Sequence, residues 1–110
     1  MRRWIPLVVP MALALGACGV ARFGRDFDPG AFESRVERGK TTQAQVRGWL
    51  GAPYGTGVAV DTNGERFDEW SYYYGGGRLS NMENASLKIL QIKFDQNGVV
   101  RGYNWSDDGK

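Results

Sequence analysis

The chain has 110 residues, 42% hydrophobic and 24% charged, which is ordinary for one small globular domain. Without Arg2 and Arg3, which lie in an N-terminal leader, basic and acidic residues are equal in number, so charge gives no support to a nucleic-acid partner. The sequence contains no histidine and a single cysteine, Cys18, which excludes histidine catalysis, histidine metal ligands and an internal disulfide.

Residues 1–17 have the pattern of an export signal. Arg2 and Arg3 form its positively charged start. The apolar run over residues 4–15 has the length of a signal-peptide core and is too short to span a bilayer as a helix. We therefore predict that this leader is removed from the mature protein.

The run Leu15-Gly16-Ala17-Cys18 resembles the lipobox of bacterial lipoproteins. The resemblance implies diacylglycerol on the sulfur of Cys18, cleavage before this cysteine, and acylation of the new amino terminus with a fatty acid such as palmitate. Three acyl chains are more than the two signals that stable anchoring requires. Gly19, in place of an aspartate after the cysteine, implies sorting to the outer membrane, with the domain facing the periplasm.

Two helices are expected after a lipidated tether at residues 18–28, which shows little periodic burial. Asp28-Pro29 is typical of a helix start, an N-cap followed by proline at the first helical position, and predicts a helix at about 29–38. Thr42 and Gln45 have the spacing of a capping box for a second helix, and Gly51 is suited to end it.

An aromatic strand is predicted where Trp70, Tyr72 and Tyr74 alternate with Ser71 and Tyr73. Whether residues 57–60, ahead of it, form a short edge strand is left open. Behind it, a run of three glycines predicts the end of the strand, and residues 78–85 are interpreted as a mobile polar loop.

A hairpin is predicted in the last third of the chain. Leu90, Ile92 and Phe94 alternate with polar residues. The apolar residues just before them are out of phase with this alternation, which predicts a bulge or two-sided burial near 89–90. The turn Asp95-Gln96-Asn97-Gly98 favours a return strand from Val99 to about Trp105.

This order of elements predicts an α+β fold. Two N-terminal helices would pack on one face of a three-stranded antiparallel sheet, an ααβββ two-layer sandwich, because they are the only elements able to cover its apolar face. The domain is expected over residues 29–106, with 107–110 as a tail.

Several of these motifs together resemble the BamE/SmpA/OmlA family of small outer-membrane lipoproteins, over about residues 29–105. The resemblance is carried by Gly39-Lys40-Thr41-Thr42, Val46, Leu50-Gly51-Ala52-Pro53, Trp70-Ser71-Tyr72-Tyr73-Tyr74 and the hairpin from Phe94 to Val100. It implies a non-catalytic protein-binding module that supports outer-membrane β-barrel assembly and envelope integrity, with proteins of the barrel-assembly machine as partners.

Candidate binding residues come from two sources. The family has an arginine-and-aspartate segment before its first helix that takes part in partner binding, and Arg25-Asp26-Phe27-Asp28 loosely matches it. Tyr73 is the second candidate, because alternation directs it to the sheet face opposite Trp70 and Tyr72. The aromatic strand fits either core packing or an exposed patch for a protein or a glycan.

Other functions remain as alternatives. A lipoprotein of the same domain type binding another target, as an enzyme inhibitor or a cell-wall glycan-binding module, stays open. A hydrolase using Asp68 or Glu69 is disfavoured, because no nucleophile–base arrangement follows from the sequence. A phosphate-binding loop at Gly39-Lys40-Thr41 would need its first glycine at Ser34. We predict no cofactor, metal, nucleic acid or small-molecule substrate.

Overall fold

The computed structural model describes residues 20–78 and 81–108, so the predicted leader and Cys18 lie outside the described residues. The elements are β1 (Val20–Gly24), α1 (Pro29–Arg35), α2 (Gln43–Leu50), β2 (Gly55–Val60), β3 (Arg66–Arg78), β4 (Asn81–Phe94) and β5 (Val100–Asp107). In this part of the chain, neither helix has the length and apolar character needed to span a bilayer.

The fold is α+β, but the predicted three-stranded sheet is wrong, because the described residues form an antiparallel sheet of five strands. Strands β3, β4 and β5 are neighbours in that order. The free side of β3 is shared end to end by two short strands, with β2 pairing residues 66–71 and β1 pairing residues 74–78. Both edge strands are held by backbone hydrogen bonds to β3, and such bonds do not require a regular pattern of apolar side chains in the sequence.

Strand β1 lies inside the segment that we predicted to be a tether. Its residues, Val20-Ala21-Arg22-Phe23-Gly24, mix charge and glycine with apolar side chains, which concealed the strand. Strand β2 occupies Gly55–Val60, longer than the edge strand left open at 57–60.

The β3–β4 hairpin is longer than expected. β3 continues to Arg78 and β4 begins at Asn81, so most of the predicted loop at 78–85 is strand. The three glycines lie within β3 and do not end it. Glycine is required at position 75 because the Phe23 ring occupies the space that a side chain there would need. Glycine in a strand often marks such a close approach, which propensity alone does not reveal.

The bulge expected near 89–90 is absent, because the pairing of β3 with β4 runs without a shift from position 68 to position 76 of β3. The other expectation for this site is confirmed. Leu90 is buried on the helical face and Ile89 is half-buried on the opposite face. Register irregularities occur instead at 76–78 of β3 and at 93–94 of β4.

Both helices begin where their caps predict. The Asp28 carboxylate accepts hydrogen bonds from the backbone N–H groups of Gly30 (3.0 Å) and Ala31 (3.1 Å). Thr42 and Gln45 exchange the two bonds of a capping box, and Gly51 follows α2 with φ of 83°. Helix α1 ends at Arg35, short of the predicted 38, because residues 37–41 form a separate turn in which Thr41 Oγ1 accepts from the Glu37 N–H at 2.8 Å.

The core lies between the helices and one sheet face. Phe32 of α1 and Val46 of α2 are buried against this face. The sheet residues of the core are Trp70, Tyr72, Leu90, Ile92, Phe94 and Val100. Core packing of Trp70 and Tyr72 is therefore confirmed, and the opposite sheet face, called the outer face below, carries Tyr73.

Candidate functional site

The segment between β1 and α1 forms one wall of a cleft on the helical side of the molecule. The opposite wall consists of α1 and the end of α2. This cleft, of about 240 Å³, is called the helix-side cleft and is lined by Arg25, Asp26, Phe27, Asp28, Ala31, Phe32, Arg35, Trp49 and Leu50. All four predicted binding residues of the 25–28 segment therefore line one concave surface.

Three of these four residues hold the segment in place. Asp28 caps α1, and the Phe27 ring packs edge-on against Tyr72 with ring centroids 6.1 Å apart. Lys88 of β4 donates to the Asp26 carboxylate at 2.8 Å and to the Phe27 carbonyl at 3.0 Å. The hydrogen bond from Lys88 holds the pKa of Asp26 below its usual range, and the same bond raises the pKa of Lys88.

Two cations of the cleft have no such structural role. The Arg35 guanidinium lies 4.8 Å from the centroid of the Trp49 ring, and the Arg25 guanidinium fills the space beside Gly51. Among residues 20–78 and 81–108, neither arginine has a carboxylate within ion-pair distance. The cleft therefore presents two planar, donor-rich cations beside aromatic rings, which suits a carboxylate flanked by apolar groups.

Sequence reasoning identified Arg25 through the family resemblance and missed Arg35 and Trp49. These two residues lie on different helices, and their stacking depends on how α1 packs against α2. Spacing along the chain carries no signal for that packing. The only local indication was a cation in the last turn of α1, which is a common helix feature.

Tyr73 lies on the outer face, as alternation predicts, and does not belong to the helix-side cleft. Its ring meets Tyr54 edge-on with centroids 5.4 Å apart, and Tyr54 meets Phe23 at 6.2 Å. Phe23 is 47% exposed and Tyr54 is 57% exposed, whereas Tyr73 is half-buried beneath its neighbour. The exposed aromatic surface is thus carried mainly by Phe23 and Tyr54, which the sequence did not single out.

A second concave surface lies next to Phe23 at the hairpin end of the outer face. It measures about 310 Å³, and Phe23, Gly75, Ala85 and Leu87 contribute to its lining, with Arg22 at its rim. We call it the hairpin groove. Phe23 pairs across the sheet with Gly75, and Gly75 pairs with Leu87, so the groove follows one row across three strands.

The geometry adds no support for catalysis at Asp68 or Glu69. These neighbours on β3 point to opposite faces and pair with Phe94 and Lys93 respectively. In the described ranges, no group of three acidic or cysteine side chains is placed to hold a metal ion.

No family model matches the chain, and no curated protein or solved structure is significantly similar to it.

Proposed function

We propose that this protein is a lipid-anchored, non-catalytic protein-binding module on the periplasmic side of the outer membrane. The lipobox-like run ending at Cys18 supports the anchor. The motif resemblance to the BamE/SmpA/OmlA family supports a role beside the β-barrel assembly machine. The observation that carries the binding function is the helix-side cleft with its two arginines, neither ion-paired to a described residue.

The chemistry of the cleft defines the partner. An arginine–carboxylate pair in open water contributes little, but binding in a concave site removes water from both charges and allows bidentate geometry. Trp49 and Phe27 supply apolar walls beside these charges. Arginine and tryptophan are also the residue types that most often dominate binding energy at protein interfaces. The expected ligand is an acidic side chain, next to an apolar one, on a folded envelope protein.

Crosslinking in intact cells tests this proposal. A photo-crosslinking amino acid replaces Ala31, an exposed residue of the cleft, so that both arginines stay in place. We expect capture of barrel-assembly proteins, and loss of that capture when Arg25→Glu and Arg35→Glu are added. Arg66→Glu, an exposed arginine on β3, is the matched control and should leave capture unchanged.

The identity of the captured protein decides between the alternatives. Capture of an envelope enzyme in place of assembly proteins would favour the inhibitor function over barrel assembly. Capture that persists in the Arg25→Glu, Arg35→Glu protein, or that is equally strong from a crosslinker at exposed Val60, would show that the cleft is not the binding site.

A further inference from the structure

We infer that the hairpin groove rests on the membrane surface, so that the domain contacts the bilayer both through lipid on Cys18 and through the outer face of its sheet. This inference rests on the proposed lipidation of Cys18. It adds an orientation: the β3–β4 hairpin end faces the membrane, and the other end of the sheet points into the periplasm.

The short distance along the chain from the proposed anchor to the sheet limits how far the domain can lie from the membrane surface. Strand β1 begins at Val20, so only Gly19 separates it from Cys18. Since a residue spans at most about 3.6 Å, the Cα atoms of Cys18 and Val20 are within about 7 Å. Val20 pairs with Arg78, the last residue of β3 before the hairpin turn. Val20, two residues after the proposed lipidation site, therefore lies beside the hairpin end of the sheet.

The groove at this end has the chemistry of a membrane contact. Phe23 is 47% exposed and Leu87 is 40% exposed, and both stand on the outer face on either side of Gly75. Exposed apolar surface gathered in one place marks interaction sites for proteins or membranes. Because the proposed anchor keeps this end within a few ångströms of the lipid, the apolar side chains of the groove lie close enough to contact the bilayer.

The contact with the bilayer rests on the apolar side chains of the groove. Arg22, the residue before Phe23, pairs with Gly76 and its Cβ projects from the helical face, so it adds no charge to the outer face. The aromatic Phe23 and aliphatic Leu87 side chains are the groups that enter the acyl boundary.

Depth-dependent quenching tests the inference on the full lipidated protein. Lipidation converts the Cys18 thiol into a thioether, so Leu87→Cys introduces the one reactive thiol for a fluorescent label. The protein is reconstituted into vesicles of phosphatidylethanolamine and phosphatidylglycerol. Val60→Cys is the matched control, because Val60 is 60% exposed and pairs with Arg66 at the far end of β3.

We expect brominated lipids to quench the label at position 87 several-fold more than the label at position 60, and aqueous iodide to show the reverse order. Ala85→Cys, in the same groove, provides a second probe if the label at position 87 disturbs the fold. Circular dichroism of the labelled proteins checks that each remains folded.

The outcomes separate this inference from the proposed anchor. If mass spectrometry finds Cys18 acylated and iodide reaches positions 87 and 60 equally, the anchor stands and the membrane contact is refuted. If both quenchers are excluded from the groove and the labelled protein crosslinks to itself, a second copy covers the groove and the inference is wrong. An unacylated Cys18 in the exported protein refutes the anchor and the orientation together.

Discussion

The hydroxyl of Tyr72 donates a 2.9 Å hydrogen bond to the backbone carbonyl of Gly51. This bond joins the middle of β3 to the residue that ends α2, where carbonyl groups lack partners within the helix. It also fixes the end of α2 that carries Trp49 and Leu50, so the helix-side cleft depends on a contact made beneath it.

The Tyr72→Phe variant tests this contact. The ring and its packing stay, but the Gly51 carbonyl loses its donor in a partly buried place, so we expect a loss of about 1–2 kcal/mol in the free energy of unfolding. Urea denaturation measures it. Tyr103→Phe is the control, because the structure gives the Tyr103 hydroxyl no hydrogen bond to a described residue, and an equal loss in both variants would contradict the prediction.

The same residue predicts a pH dependence. Burial raises the pKa of Tyr72 to about 12, above the ordinary value of 10.0. Unfolding above pH 10.0 is then coupled to ionisation of this tyrosine, so its contribution is fully present below that pH and is lost as the pH rises toward about 12. Urea denaturation from neutral to alkaline pH should show a steeper loss for the natural chain than for Tyr72→Phe. Parallel curves would contradict it.

The ion pair between Asp26 and Lys88 predicts an effect at acid pH. Because the pKa of Asp26 is lowered, its contribution is present above the ordinary value of 3.8 and is lost as the pH falls below it. Asp26→Asn should cost about 0.2–1 kcal/mol at neutral pH, since the carboxylate is exposed, and nothing at low pH. Asp68→Asn, which removes an exposed carboxylate without an ion pair to a described residue, should have no such effect in the same urea titrations.

A substitution at Gly75 tests how β1 is held. A methyl group there collides with the Phe23 ring, which must then move off the sheet, so Gly75→Ala should weaken the packing of β1 while the core stays intact. Hydrogen exchange of the amides at 20–24 should accelerate at least several-fold. Gly102→Ala is the control, because a methyl group at this strand glycine meets open space. Unchanged exchange in Gly75→Ala would contradict the prediction and would mean that the exposed Phe23 ring can turn aside without loosening β1.

Local signals explain what the sequence predicts well. The caps of Asp28 and Thr42 act within three residues, so the helix starts could be located before any tertiary structure was known. Alternation in β3 and β4 likewise predicted that Trp70 and Leu90 each share one sheet face with their alternate neighbours, and the structure shows that this face is the core.

Non-local contacts explain what was missed. Strands β1 and β2 exist through backbone pairing with a strand far along the chain, and neither has a regular side-chain pattern. The cleft needs α1 and α2 to meet so that Arg35 stacks on Trp49. For Arg25, only the resemblance to a known family pointed to a binding role.

If the chain is anchored at Cys18, strand β1 determines the distance between the folded domain and the membrane. While its five residues stay paired with β3, the hairpin end is held at the lipid. Were they to detach, residues 20–25 would become an extended tether of about 20 Å, because Lys88 and Tyr72 still hold Asp26 and Phe27. In an anchored protein, pairing or release of this one short edge strand would therefore set two distances between the same folded domain and the membrane, a short one and a longer one.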